Sequence, residues 1–121
     1  MLTQLAFIFP GQGSQATGML AELAVQHSSI EACFKEASEG AGVDLWQISQ
    51  DPSDDRLNQT EFTQPALLAA NIALWRLWQA QGGAQPAMLA GHSLGEYAAL
   101  VAAGAISLHD GANLVRLRGQ Y

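Results

Sequence analysis

Residues 87–95 read Ala-Met-Leu-Ala-Gly-His-Ser-Leu-Gly, a short apolar run that ends in a serine between two glycines. The spacing Gly91-x-Ser93-x-Gly95 is typical of a nucleophile elbow, a tight turn from a strand into a helix that exposes the serine hydroxyl. An Ala-rich helical pattern follows, as the elbow requires. We interpret Ser93 as a nucleophile and the backbone amide of Leu94 as an oxyanion donor. The alternative is a chance pattern, because glycine and serine are common in loops.

A second strand is predicted at Leu5–Phe9, a continuous apolar run that ends at Pro10. Such runs are typical of strands buried on both faces of a parallel sheet. Three helices are predicted between the two strands: one over residues 17–27, one that begins at residue 28, and one from residue 63 to about 81. Two more are predicted after the serine motif, one that ends at about residue 103 and one that begins at about residue 107. This order predicts an α/β fold with a parallel sheet and a right-handed connection.

Several helix ends are predicted from capping residues. Ser28 with Glu31, and Ser107 with Asp110, have the spacing of a capping pair, in which a serine oxygen accepts from a backbone amide three residues later. Pro65 is expected near the first turn of the long helix, where its missing N–H costs nothing.

Composition excludes several functional classes. The chain has 121 residues, of which 49% are hydrophobic and 13% charged, so one domain at most is expected. Nucleic acid is an unsuitable partner, because the net charge is -6 and only five residues are Lys or Arg. No apolar stretch is long enough to cross a membrane. The single cysteine, Cys33, can form no internal disulfide and has no metal-ligand spacing around it, so a cytoplasmic protein without a metal is expected.

The loop after the first strand, Pro10–Gln15, is a candidate for the second half of an oxyanion hole. The carboxyl ends of parallel strands meet at one edge of a sheet, so the backbone N–H of Gln12 and the side chain of Ser93 would face one crevice. The alternative is a glycine-rich turn without a catalytic role. Because residue 16 is alanine, the loop does not match the phosphate-binding Gly-x-Gly-x-x-Gly pattern.

Arg118 can be placed by helix geometry. A helix of about ten residues after Ser93 is roughly 15 Å long, and Gly104 then allows the chain to turn back. A second antiparallel helix of similar length would bring Arg118 level with Ser93, where its guanidinium could bind a substrate carboxylate. From the sequence alone, the simpler interpretation is a solvated arginine on a helix face, and it applies still more to Arg116.

A serine nucleophile needs a base, and the three histidines do not supply one. His92 precedes Ser93 in the elbow, so its side chain should point to the other side of the turn. His27 and His109 fall in predicted helical segments without a visible link to the motif. We expect that the base histidine is not in this chain.

Four segments together resemble bacterial malonyl-CoA:acyl carrier protein transacylases: Phe7–Gln15, Thr63–Ala66, Gly91–Tyr97 and Arg118-Gly119. The resemblance covers essentially the whole chain, in order and spacing. It is closer to the free-standing enzymes of fatty acid biosynthesis than to acyltransferase domains of polyketide synthases. It implies an α/β-hydrolase-like acyltransferase core, of which residues 1–121 would be the N-terminal part, without the ferredoxin-like subdomain and the C-terminal part that carries the base.

The resemblance also implies the chemistry. Ser93 would take a malonyl group from malonyl-CoA, a coenzyme A thioester that serves as substrate, and pass it to acyl carrier protein, with no permanently bound cofactor. The backbone amides of Gln12 and Leu94 would form the oxyanion hole, Arg118 would bind the malonyl carboxylate, and Gln64 would line the pocket. The net charge of -6 does not favour docking of an acidic carrier protein, so the basic docking patch is expected mostly outside this chain.

Three other functions remain open. A serine esterase or thioesterase would use the same elbow but have no preference for a carboxylated acyl group. A fragment without a base could keep an acyl-binding half-site and no chemistry. An acyltransferase domain of a polyketide synthase would share most of the motifs.

Overall fold

The computed structural model describes residues 6–11, 13–84, 86, 88–91 and 94–120. Two parallel strands, β1 (Ala6–Phe9) and β2 (Met88–Gly91), pair from Ala6 opposite Met88 to Phe9 opposite Gly91. The helices are α1 (Ala21–Gln26), α2 (Ser29–Ala41), α3 (Leu45–Gln50), α4 (Thr60–Ala80), α5 (Leu94–Ala102) and α6 (Leu108–Gln120), with a short 3-10 helix at Asp55–Asn58. The predicted α/β fold with a parallel sheet is confirmed. The predicted strand residues Leu5 and Ala87 lie outside the described residues.

The core is built around α4. Its middle section is apolar on every side, so Ala66 to Ala70 are all buried, as expected of a helix surrounded by other elements. Helices α2 and α6 pack against it and against each other. The closest approach is at Gly40, where an added Cβ would lie 2.0 Å from the backbone oxygen of His109. Only glycine allows α2 and α6 to meet at that distance.

The long helix begins earlier than predicted. It starts at Thr60 and not at Thr63, so the prediction that Pro65 lies near the first turn is wrong, and Pro65 lies inside the helix. The start is set by the backbone oxygen of Gln59, which accepts bonds from the amides of Phe62 and Thr63 at 2.9 and 2.8 Å and from the Thr63 hydroxyl at 3.0 Å. These bonds organise the first turn before the chain reaches the proline.

The two predicted capping pairs have different outcomes. The amide of Asp110 donates to the Ser107 hydroxyl at 3.0 Å, which confirms the pair that starts α6. The Ser28 pair is wrong: Ser28 has helical dihedral angles (φ -63°, ψ -18°) and its side chain makes no cap bond. A capping serine needs extended backbone to direct its oxygen at the following amides, and Ser28 does not have it.

Two further helix boundaries differ from the sequence expectation. The helix predicted over residues 17–27 is only α1, because residues 17–20 form turns in which Gly18 and Leu20 have positive φ angles. Helix α3 was not predicted at all. Its signal is the carboxylate of Asp44, which accepts from the amide of Gln47 at 3.0 Å and caps the helix start.

Cys33 is a structural residue of this core. It is 2% exposed, and its Sγ lies 3.7 Å from the backbone oxygen of Ala69. Burial raises the pKa of the thiol to about 12, and this effect outweighs the nearby Arg76 guanidinium, which lowers it. The thiol is therefore protonated and unreactive at neutral pH.

We predict that Cys33 resists thiol reagents until the protein unfolds. At pH 8, Ellman's reagent should label the folded protein at least 100-fold more slowly than the protein in denaturant, because both access and thiolate formation are suppressed. Since the folded pKa lies above the unfolded one, the thiol's contribution to stability is complete below about pH 8.5 and decreases as the pH rises toward 12. Equal labelling rates in the two states would contradict this assignment.

Candidate active site

The start of α5 is held against the end of β1 through glycines. An added Cβ at Gly95 would lie 2.2 Å from the backbone oxygen of Phe9, and one at Gly91 would lie 1.9 Å from the backbone oxygen of Gly95. Real Cβ atoms do not approach that closely, so both flanking glycines of the motif are required by packing. Leu94, the first residue of α5, is buried.

Two residues of the predicted site, Gln12 and Ser93, lie outside the described residues, and so does His92, which was not expected to act as the base. Their predicted roles therefore stay predictions. What the structure describes is the frame around them: β2 ends at Gly91, two residues before Ser93 in the sequence, and α5 begins at Leu94, directly after it. A strand before Ser93 and a helix after it are the flanking elements that the motif predicts.

The loop after β1 is anchored on α4. The Asn71 side-chain amide, 5% exposed, donates to the backbone oxygen of Pro10 at 3.1 Å. One residue earlier, the ring of Phe9 packs edge-on against Trp75, with ring centroids 6.3 Å apart. Sequence reasoning missed Asn71, and its polar side chain on the apolar face of α4 was the available signal. These contacts fix where the loop leaves the sheet.

Helix α6 returns antiparallel to α5, as predicted. Near its start Gly111 lies close to Val101 at the far end of α5, and near its end Arg118 reaches Tyr97 in the first turn of α5. The guanidinium carbon of Arg118 lies 5.3 Å from the centroid of the Tyr97 ring. The structure thus places Arg118 at the end of α5 that directly follows Ser93 in the sequence.

The end of α6 is also fixed against the start of α4. An added Cβ at Gly119 would lie 2.6 Å from Cα of Glu61, so only glycine permits this approach. The Gln120 amide donates to the Glu61 carboxylate at 3.1 Å. Arg118 therefore projects from a backbone that α4 holds in place.

Arg116 is not the solvated arginine expected from the sequence. Its guanidinium donates to the backbone oxygen of Ala41 at the end of α2, and its Nε lies 3.7 Å from the Glu61 carboxylate. Its guanidinium carbon is 5.2 Å from the centroid of the Phe62 ring. The expectation fails because the carbonyl at the end of α2 and a carboxylate on α4 both face this side of α6. Arg116 thus joins three helices.

Gln64 carries an unusual polar atom. The residue is 7% exposed, and its Oε1 is buried without a hydrogen-bond partner among the described residues. A buried acceptor left unpaired costs roughly 1–3 kcal/mol, so such an atom is often kept for a ligand. It lies one helical turn after Glu61, on the helix against which the end of α6 packs.

Two positive features converge at the start of α5. The first amides of any helix have no partner within the helix and favour a nearby anion, and α5 has nine residues over which this dipole builds. Arg118 adds a full charge against the first turn. In a chain of net charge -6, this arrangement is suited to a carboxylate or to the oxyanion of an acyl-transfer step.

The described histidines offer no base at this place. His109 lies in the first turn of α6, at the opposite end of that helix from Arg118, and its Nδ1 is 3.4 Å from the exposed Asp110 carboxylate. His27 ends α1.

Among the described residues, no group of three His, Cys, Asp or Glu side chains could hold a metal ion. None of the described helices is long and apolar enough to cross a bilayer.

The family model for the acyl transferase domain matches residues 6–121. The chain belongs to the acyl transferase family. This acyltransferase segment is 56% identical over 120 residues to the malonyl CoA-acyl carrier protein transacylase of Salmonella typhimurium, an alignment that covers 99% of the segment and 39% of that relative. It therefore spans about two fifths of the length of the curated relatives it matches.

Solved structures agree with this assignment. The malonyl-CoA:acyl carrier protein transacylase of Xanthomonas oryzae superposes with a TM-score of 0.95 at 69% identity, over 98% of this acyltransferase segment and 38% of that chain. A malonyl-transacylase solved in complex with a type II polyketide synthase acyl-carrier protein superposes with a TM-score of 0.93 at 52% identity, over 98% of the segment and 38% of that chain. The described fold is the N-terminal part of such an α/β core.

We predict that Gly95→Ala destabilises the acyltransferase. The new methyl group would meet the backbone oxygen of Phe9, so β1 and α5 must separate, and overpacking of this kind costs roughly 1–3 kcal/mol. This exceeds the helix-propensity gain of about 1 kcal/mol. Urea unfolding should show a lowered midpoint. The control is Glu96→Ala at the neighbouring exposed position, and equal midpoints for the two variants would refute the packing argument.

Proposed function

We propose that this chain is the N-terminal part, residues 1–121, of the catalytic domain of a cytoplasmic malonyl-CoA:acyl carrier protein transacylase of fatty acid biosynthesis. The observation that carries the proposal is Arg118 against the ring of Tyr97 in the first turn of α5, directly after Ser93 in the sequence. An ordinary esterase needs no cation there. The names of the relatives supply the substrate and the acceptor.

In the proposed reaction, the Ser93 oxygen attacks the thioester carbonyl of malonyl-CoA. A base from outside this chain takes the hydroxyl proton and returns it to the departing coenzyme A sulfur, which leaves an ester of malonate on Ser93. The phosphopantetheine thiol of acyl carrier protein then attacks the ester, the serine regains its proton, and a new thioester forms. Each tetrahedral intermediate would carry its negative charge between the backbone amides of Gln12 and Leu94.

Arg118 would select the acyl group. A malonyl carboxylate can pair with the guanidinium through two parallel hydrogen bonds, whereas an acetyl group has no carboxylate to offer it. The packing of Gly119 on Glu61 supports this role, because it keeps the α6 backbone in place while the site binds substrate. Gln64, with its unpaired Oε1, is proposed as a second polar contact in the same pocket.

The charge of the chain bears on the carrier protein. Of the five basic residues, Arg56 pairs with Asp54, Arg76 with Glu36 and Arg116 with Glu61. These pairs neutralise most of the positive charge that an acidic carrier protein would need. We therefore place the basic docking patch mainly outside residues 1–121.

We predict that malonyl-CoA labels Ser93 in the full-length protein that this proposal requires. Intact mass spectrometry should show one malonyl adduct, absent from Ser93→Ala, because the substitution removes the nucleophile. The 121-residue chain alone should transfer little or no malonyl, since the base is outside it. Substantial transfer by the short chain, lost on Ser93→Ala, would overturn the inference about the base. A labelled Ser93→Ala variant would overturn the assignment of the nucleophile.

We predict that Arg118→Ala weakens malonyl transfer by about 100-fold or more and narrows the preference for malonyl over acetyl. A buried carboxylate that loses its cation is destabilised by roughly 3–5 kcal/mol. The kcat/KM for each acyl-CoA gives the ratio directly. Arg116→Ala is the matched control on the same helix, because it removes an arginine that contacts α2 and α4. An unchanged preference in Arg118→Ala would overturn the role of Arg118 in acyl selection, whereas wild-type protein without any preference for a carboxylated acyl group would favour an esterase or thioesterase.

A further inference from the structure

We propose that Asn71 is a positioning residue for the oxyanion hole, because its side-chain amide fixes the loop that follows β1. The inference rests on the proposed function, in which that loop supplies one of the two oxyanion donors, the backbone amide of Gln12. Asn71 is not itself a catalytic residue in this assignment, since it acts through the loop. Its basis is the hydrogen bond of 3.1 Å from the Asn71 side chain to the backbone oxygen of Pro10, across 61 residues of sequence.

The Asn71 bond has a defined direction and a buried position. A backbone carbonyl can only accept a hydrogen bond, so the group that faces Pro10 is the NH2 of the Asn71 amide. The residue is 5% exposed, on the apolar helix α4. A buried polar side chain needs a partner that compensates for the water it loses, and the Pro10 oxygen is such a partner. The bond is therefore a specific tie between α4 and the loop.

Asn71 acts next to the contact that fixes the start of α5. The Phe9 oxygen meets the backbone of α5 at Gly95, and the oxygen of the following residue, Pro10, meets α4 through Asn71. Two successive peptide groups at the end of β1 are thus held by two different helices. One contact places the helix that begins at Leu94, whose amide is the other proposed donor, and the second contact places the loop. The relative position of the two donors therefore depends on both contacts.

The loop itself is organised by short bonds between its own residues. The oxygen of Gly11 accepts from the Ser14 hydroxyl at 2.8 Å, and the Gly13 amide donates to the Gln15 side chain at 2.8 Å. These bonds give the loop a local shape, but they act within it and do not set its orientation relative to the sheet. The bond from α4 comes from another element and does set that orientation.

The consequence for catalysis follows from how an oxyanion hole works. Its donors act on charge that develops only in the transition state, so a displaced donor slows the chemical step and leaves substrate binding nearly unchanged. The oxyanion forms at the thioester carbonyl whether or not the acyl group bears a carboxylate. A role in positioning this loop therefore predicts equal losses for malonyl and acetyl transfer, unlike the role proposed for Arg118.

The test compares Asn71→Asp and Asn71→Leu with the wild type in the full-length protein, by the single-turnover rate of serine acylation. Both substitutions keep the branched shape of the side chain and remove its N–H donors. We expect each to lower the maximal rate with malonyl-CoA roughly 10- to 100-fold, less than the complete loss of a donor. The malonyl-CoA concentration for half-maximal rate should change less than about threefold, and acetyl-CoA should show the same loss of rate.

Ile72→Val is the matched control for general damage to α4. Ile72 is the neighbouring buried residue, 1% exposed, and the smaller side chain should lower the melting temperature while the acylation rate stays within about twofold of the wild type. Wild-type rates in both Asn71 variants, a loss confined to malonyl or to the half-maximal concentration, or an equal loss in Ile72→Val would each overturn the inference. Wild-type protein that transfers no malonyl would instead overturn the proposed function, and this inference with it.

Discussion

The arrangement described here depends on one close backbone contact, that of Gly95 in α5 with the carbonyl of Phe9 at the end of β1. No side chain fits between the two, so the helix begins directly at the carboxyl edge of the sheet. Gly91, at the end of β2, makes a similar contact, because a side chain there would collide with the carbonyl of Gly95. A helix that begins this close to the strand ends directs its first amides to the place where ligands of parallel sheets bind.

Helix α4 connects the end of β1 to the end of α6. Through Asn71 it holds the loop that follows β1, and through Glu61 it receives the end of α6. Its own Gln64 contributes a buried acceptor without a partner among the described residues. One buried helix thus sets the relative positions of a backbone loop, a cation and a polar side chain, which is what selective binding of a small charged acyl group requires.

The sequence was most informative where short-range geometry is decisive. The Gly-x-Ser-x-Gly spacing, the apolar strands and Gly104 were enough to predict two parallel strands, a helix after the motif and an antiparallel return of the next helix. The contact of Arg118 with Tyr97 was not predicted. The sequence did not predict the features that depend on contacts between residues far apart in the chain. Arg116 meets a carbonyl from residue 41 and a carboxylate from residue 61, and no local pattern shows either partner. Similarly, Pro65 marks a helix start by its own preferences, but the Gln59 carbonyl places the start earlier.

The central claim is that the start of α5 and Arg118 together form a site for an acyl group that bears a carboxylate. The most direct measurement is a crystal structure of the full-length protein trapped with the malonyl group in place. We expect an ester on Ser93, with the malonyl carboxylate about 2.7–2.9 Å from the Arg118 nitrogens and Arg118 still against the first turn of α5. A carboxylate directed into solvent, with Arg118 turned away from the first turn of α5, would contradict it.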